Sequence, residues 1–211
     1  MRQTEEENHL EQTFLDELNY KIWSTKESRF NAHQRLLKRS KRSHLCQRIL
    51  FVYFLFLTLI AIYNLILNPS YDKNVLIISI VSFSLLLVLF GRIENSKAYH
   101  EKAKEFYTCG VELASLHNVL IIFKSLIENQ SVESKTEFAD KIALSYQRIV
   151  ELHQSHEFID TELFKCKASV YHNLNWFEVQ KIKLTYYYKT ALLYHVLIIV
   201  PPLLLFILLK N

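Results

Sequence analysis

The chain has 211 residues, half of them hydrophobic, a formal net charge of +4, and only 2 Gly and 3 Pro. A mean hydropathy of +0.06 at that apolar content means that the apolar residues are gathered in blocks and the rest is polar, which excludes a transporter built almost wholly of spans. Two glycines cannot build a Gly-rich phosphate loop, and few breakers favour long helices.

In chain order, the first residues carry Glu5, Glu6 and Glu7, with no apolar core before residue 49, so they do not read as a secretory signal. Leu15, Leu18, Ile22, Thr25, Arg29, Ala32 and Leu36 then fall on one stripe at helical spacing. Lys38, Arg39, Lys41, Arg42 and Arg48 lead into a run without Asp, Glu, Lys or Arg at residues 49–67, long enough to cross a bilayer. A short connection at 68–74 leads to a second charge-free run at 75–90, followed by Arg92, Lys97, Lys102 and Lys104. This Lys/Arg asymmetry places both polar regions inside and the 68–74 loop outside.

Beyond the second run, Tyr99, Phe106, Leu113, Leu120 and Ile127 repeat every seven residues, with Cys109, Leu116 and Phe123 between them. A sustained heptad packs along its length on another helix, in the same chain or in another copy. The seam Phe106, Leu113, Leu116, Leu120, Phe123 and Ile127 is therefore a candidate oligomer contact, and it reads as one rod with the second span. After a break at 129–133, Ser134 and Glu137 suggest a capping box opening a helix that buries Phe138, Ile142, Ile149 and Leu152. His153, His156 and Glu157 form H-x-x-H-E, which lacks the i, i+4 histidine spacing of a zinc hydrolase and reads as a solvated turn. A shorter helix from Thr161 is interrupted at 173–175, and from Trp176 the chain can run helically into a third charge-free run at 191–209. Lys181, Lys183 and Lys189 precede this run, so it leads outward, and Tyr186, Tyr187, Tyr188 and Tyr194 lie at its entry, where an aromatic belt would.

Inside the spans the polar groups matter most, because in hydrocarbon they must be paired or face an aqueous path. Asn64, Ser79, Ser82 and His195 are the candidate pore-lining residues; for the hydroxyls, Thr58, Ser79, Ser82 and Ser84, interhelical hydrogen bonding is the preferred reading, and for Asn64 and His195 both readings stay open. Pro201 and Pro202 free the carbonyls of Leu197 and Ile198 and form a candidate hinge. Cys46, Cys109 and Cys166 are widely spaced, with no metal-ligand pattern. No catalytic constellation, metal site or cofactor motif is present, so no enzyme is expected.

The stretch before the first span carries Trp23, Thr25, Lys26, Arg29, Phe30, Ala32, Arg35 and Leu36, a W-x-T-K-x-x-R-F-x-A-x-x-R-L pattern. With the close pair of spans after it, this resembles the SLATT family of small bacterial effectors with two membrane helices, found beside nucleotide-signalling and other conflict-system genes. The resemblance implies a membrane pore that depolarises or kills an infected cell. It also implies an activating partner encoded nearby, such as a nucleotide-signal synthase or a reverse transcriptase. Arg29 sits on the apolar stripe, where a buried cation needs a partner; Glu105 and Glu112 are the candidates.

The reading is an all-α integral membrane protein with three transmembrane helices and a long-helix cytoplasmic bundle. Its regions are an N-terminal cytoplasmic helix with the motif at 1–48, a transmembrane hairpin at 49–91, a cytoplasmic helical region at 92–189 and a C-terminal span at 190–211. The expected function is an oligomeric, pore-forming effector of antiviral defence by abortive infection. The alternative is a membrane-anchored helical scaffold that tethers a partner without a pore. The expected partners are the lipid bilayer and further copies of the chain, without direct nucleic-acid binding. The expected location is the bacterial inner membrane, N-terminus inside and C-terminus outside.

Overall fold

A computed structural model describes residues 2–67, 73–126 and 132–210, with side chains omitted before Phe14, after Leu203 and at 65, 67, 73, 75, 76 and 132. Most of the described residues are helical, and none lies in a strand. The helices are α1 (Arg2–Leu67), α2 (Lys73–Ser96), α3 (Tyr99–Leu126), α4 (Val132–Leu152), α5 (Phe158–Lys167), α6 (Trp176–Tyr187) and α7 (Leu193–Lys210), with a π-helical turn (Tyr188–Leu192) before α7. Among the described residues, two helices are by length and composition apolar enough to cross a membrane, the first within α1 and the second beginning in α2.

The chain divides into two compact units. One joins residues 1–36 to 101–186, and the other joins 37–100 to 187–211. α1 contributes to both.

In the first unit, the α1 stripe is buried as its spacing demands. Leu15, Leu18, Ile22, Ala32 and Leu36 are at most 6% exposed. Leu15, Leu18 and Ile22 meet Leu120 of α3 and Ala139 and Ile142 of α4, with Leu116, Phe138 and Tyr146 packed around them. The α3 seam is thus spent inside the chain. Phe106, Leu113 and Leu120 are buried, and Phe123 stacks on Phe138 with ring centroids 3.6 Å apart. Ile127 lies outside the described residues. A second cluster joins Ile159 and Cys166 of α5 to Ile182 of α6.

Three expectations about helix ends need correction. The second span and α3 are not one rod, because the chain turns at Lys97 and Ala98, where Ala98 takes φ 47°. That left-handed conformation stops α2, since a continuing helix needs negative φ. α4 starts at Val132, so Ser134 lies inside it, and Leu152 is 73% exposed at its end. α5 starts at Phe158, before Thr161, because Glu157 and Asp160 form a reciprocal capping box. The candidate hinge, Pro201 and Pro202, lies inside α7.

In the second unit, Cys46, Leu50 and Tyr194 form the buried centre, with Tyr53, Phe83, Phe90 and Ile198 around it. Most of the large apolar side chains of the two spans face outward, among them Leu59, Ile66, Ile78 and Leu86, all above 60% exposed. Such a surface is suited to lipid and not to water.

Candidate functional site

The motif on α1 forms a hub in which neighbouring side chains reach different helices. Trp23 meets Phe164 of α5 edge-on, with centroids 4.8 Å apart, and Tyr171 at 5.6 Å. Thr25 shares a 2.9 Å hydrogen bond with Tyr146 of α4. Phe30 lies on Gly110 of α3, where an added Cβ would stand 2.9 Å from its ring, so only a glycine admits this approach. Asn31 donates to the Asp160 carbonyl at 3.0 Å. Ala32 is fully buried, which lets the helices come close. Lys26 makes only a local pair with Glu27 at 3.3 Å.

Arg35 is the charged centre. It is 3% exposed, and its Nε and Nη2 donate to the two oxygens of Asp160 at 2.8 and 3.0 Å, while Nη1 donates to Glu157 at 2.7 Å. Asp160 is fully buried and also accepts the Glu157 backbone N–H at 3.2 Å. Burial works against the Arg35 charge, yet the hydrogen bonds and charges of Asp160 and Glu157 raise its pKa above the ordinary value. The fork geometry of guanidinium on carboxylate is what makes a buried pair of this kind tenable.

Arg29 does not pair with Glu105 or Glu112. It is 1% exposed, lies 5.5 Å from the Phe106 ring centroid, and leaves Nε and Nη1 without a hydrogen-bond partner among the described residues. Glu105 and Glu112 are exposed, on the wrong side of α3, and Glu112 instead meets His153 at 3.3 Å. The H-x-x-H-E stretch is a non-helical turn with Gln154, Ser155 and Glu157 exposed, and its two histidines are half-buried. His156 shares a 2.9 Å bond with Thr161, and Glu157 caps α5. Among the described residues, no group of three or more His, Cys, Asp or Glu is placed to hold a metal.

The second unit holds a polar latch between α1 and α7. Arg42 reaches Oγ1 and the carbonyl of Thr190 in the π-helical turn, both at 3.4 Å. Cys46 Sγ lies 4.0 Å from the Tyr194 carbonyl oxygen. Tyr53 donates at 3.1 Å to the Ile198 carbonyl, the acceptor that Pro202 leaves without a helical N–H. Positions 42, 46 and 53 thus meet 190, 194 and 198 in ascending order, so α1 and α7 run parallel here. Tyr194 also donates to Glu94 of α2 at 2.6 Å. Glu94 is 3% exposed and pairs with Lys97. Burial would raise its carboxyl pKa, but bonds from Lys97, Tyr194 and Ser43 hold it below the usual range.

The candidate pore-lining residues lie on three helices. Asn64 of α1 and His195 of α7 are half-buried, while Ser79 and Ser82 of α2 are exposed. His195 Nδ1 shares a 2.6 Å bond with Tyr187. Thr58 and Ser84 donate back to carbonyls three residues earlier in their own helices. Sequence reasoning missed Asp160, Asn31, Glu94 and the α1–α7 latch. The Glu157-x-x-Asp160 spacing and a carboxylate one turn after a span were the available signals.

Residues 11–208 match the sequence profile of SLATT family 5, described as a SMODS and SLOG-associating 2TM effector domain. Neither a curated protein nor a solved structure matches the chain. The match covers the motif hub, the span pair and most of the third apolar run. The chain belongs to the SMODS and SLOG-associating 2TM effector domain family 5.

Proposed function

We propose that this membrane effector acts as an oligomeric pore in bacterial antiviral defence, opened by an activating partner and ending in abortive infection. The observation that carries the reading is the outward apolar surface of the spans on an effector-family chain, with the motif hub and the first span on one helix, α1. Three spans with so few polar groups cannot enclose a hydrated path alone, so several copies are required, and the closed state is a dewetted apolar constriction. α7 is the third span in this reading. Its parallel run with α1 supports a C-terminus on the outer side, opposite the N-terminus, in the inner membrane. The chain acts by conduction and not by catalysis.

A specific observation favours a second reading, the anchored scaffold. Val170, Trp176, Phe177 and Leu184 are 63–91% exposed on the first unit, a surface that suits a protein partner. Light scattering of the detergent-solubilised protein, paired with growth arrest on induction, tests the pore. The expected result is an assembly larger than a dimer. A strictly monomeric protein that still arrests growth overturns it.

A further inference from the structure

In the first unit, α1 and α4 leave a groove of about 460 Å³ between them, the size of a small-molecule site. Its apolar lining is Phe14 and Leu18 of α1 and Ala143 and Val150 of α4. Tyr146 adds an aromatic wall. The Tyr146 hydroxyl is spent on Thr25 at 2.9 Å, so the ring is what remains to a ligand. That ring already receives a cation, because Lys21 Nζ stands 5.5 Å from its centroid. Glu17 precedes Lys21 by four residues, the spacing of a helical ion pair. Lys21 nevertheless lies over the ring, and Glu17 has no ion pair or hydrogen bond among the described residues. Glu151, on the facing helix, accepts from Gln147 Nε2 at 2.8 Å, a neutral donor. The groove thus carries one carboxylate on each wall, and its single ammonium is turned to the aromatic face.

An apolar floor, an aromatic face that takes a cation and a carboxylate on either wall favour a positively charged ligand over a neutral or anionic one. We propose that the α1–α4 groove is a binding site for a small organic cation, an ammonium carried on an apolar body. The body covers Leu18, Ala143 and Val150. The ammonium takes the Tyr146 face, flanked by Glu17 and Glu151, and Lys21 Nζ gives way to it. Lys21 is exposed, so it leaves the ring for water without opening the bundle. Because Tyr146 also bonds Thr25, an occupied groove bears directly on the motif helix. The site lies within the first unit and stands whether or not the spans conduct.

The test is equilibrium dialysis of radiolabelled 4-phenylbutylammonium against the full chain in nanodiscs of zwitterionic lipid, with empty nanodiscs subtracted. Nanodiscs keep detergent out of the groove, and zwitterionic lipid keeps the cation from pooling on the bilayer. Unlabelled 4-phenylbutanol and 4-phenylbutanoate serve as neutral and anionic competitors of the same shape. The expected result is one saturable site per chain, with both competitors at least about tenfold weaker than the ammonium. Glu17→Gln combined with Glu151→Gln removes both charges from exposed positions and should weaken binding about tenfold. Lys21→Met removes the resident cation and should tighten binding about threefold. No saturable binding above the empty discs overturns the site. Equal competition by the alcohol overturns the cation and leaves an apolar groove. Stronger competition by the carboxylate overturns it by making Lys21 the selecting charge. Undiminished binding by the double variant overturns it by placing the cation elsewhere on the chain. If the double variant does not fold, Lys21→Met decides, since weaker binding there overturns the proposal and tighter binding supports it.

Discussion

Arg29 and Arg35 stand six residues apart on one helix, both buried, and their surroundings give them opposite mutational behaviour. Arg35 neutralises a fully buried Asp160, so Arg35→Ala leaves that carboxylate alone and should cost about 3–5 kcal/mol, read as a lowered denaturation midpoint. Asp160→Asn in the Arg35→Ala background should recover much of the loss. A midpoint within about 0.5 kcal/mol of wild type would mean the pair contributes only as a surface bridge does. His156 gives a pH signature. Its pKa is about 4 in the fold against about 6.5 unfolded, so the unfolded chain binds the extra proton between those values. Stability is full above pH 6.5 and falls as pH drops toward 4. His156→Gln should flatten that fall in a melt-versus-pH series, with the charges of Arg29 and Arg35 left in place; an unchanged slope would assign the acid loss to another group. The motif made a buried arginine legible in the sequence. Its partner was not, because Asp160 lies 125 residues from Arg35 and is brought there only by the return of α5 onto α1.

At the scale of elements, the 3,4 stripe of α1 and the heptads of α3 were readable because a buried helical face is a periodic sequence feature. What covers such a face is not periodic, and the α3 seam meets α1 and α4 of its own chain. Helix ends were less legible: Ala98 takes a left-handed φ without the glycine that usually signals it, and the Glu157–Asp160 box uses acidic side chains where Ser or Thr is the common cap. The proline pair signalled two freed carbonyls, and the structure adds that Tyr53 satisfies one of them. The parallel course of α1 and α7 gives a direct check. With Tyr194→Cys, oxidation should cross-link position 194 to native Cys46, whereas Leu203→Cys should not cross-link to it. The reverse result would contradict the parallel arrangement. Tyr53→Phe should loosen the contact by about 1 kcal/mol, the net worth of one hydrogen bond, and raise the reactivity of Cys46 toward a thiol reagent.

For the whole molecule, two apolar helices long enough to span a membrane were legible as charge-free runs, and family membership in fourteen residues before the first. The proposed pore has no lining readable in the sequence, because Asn64, Ser79, Ser82 and His195 lie on three helices and a lumen between copies would leave no periodic mark in one chain. The central claim is that the assembled spans conduct ions when the effector is activated. A voltage-sensitive dye, followed in cells that express the protein with its native genomic neighbours and receive the activating challenge, tests it most directly. The account predicts collapse of the membrane potential before lysis, slowed by Asn64→Leu if the first span lines the path. A potential that stays unchanged while growth arrests would contradict the pore and leave the scaffold.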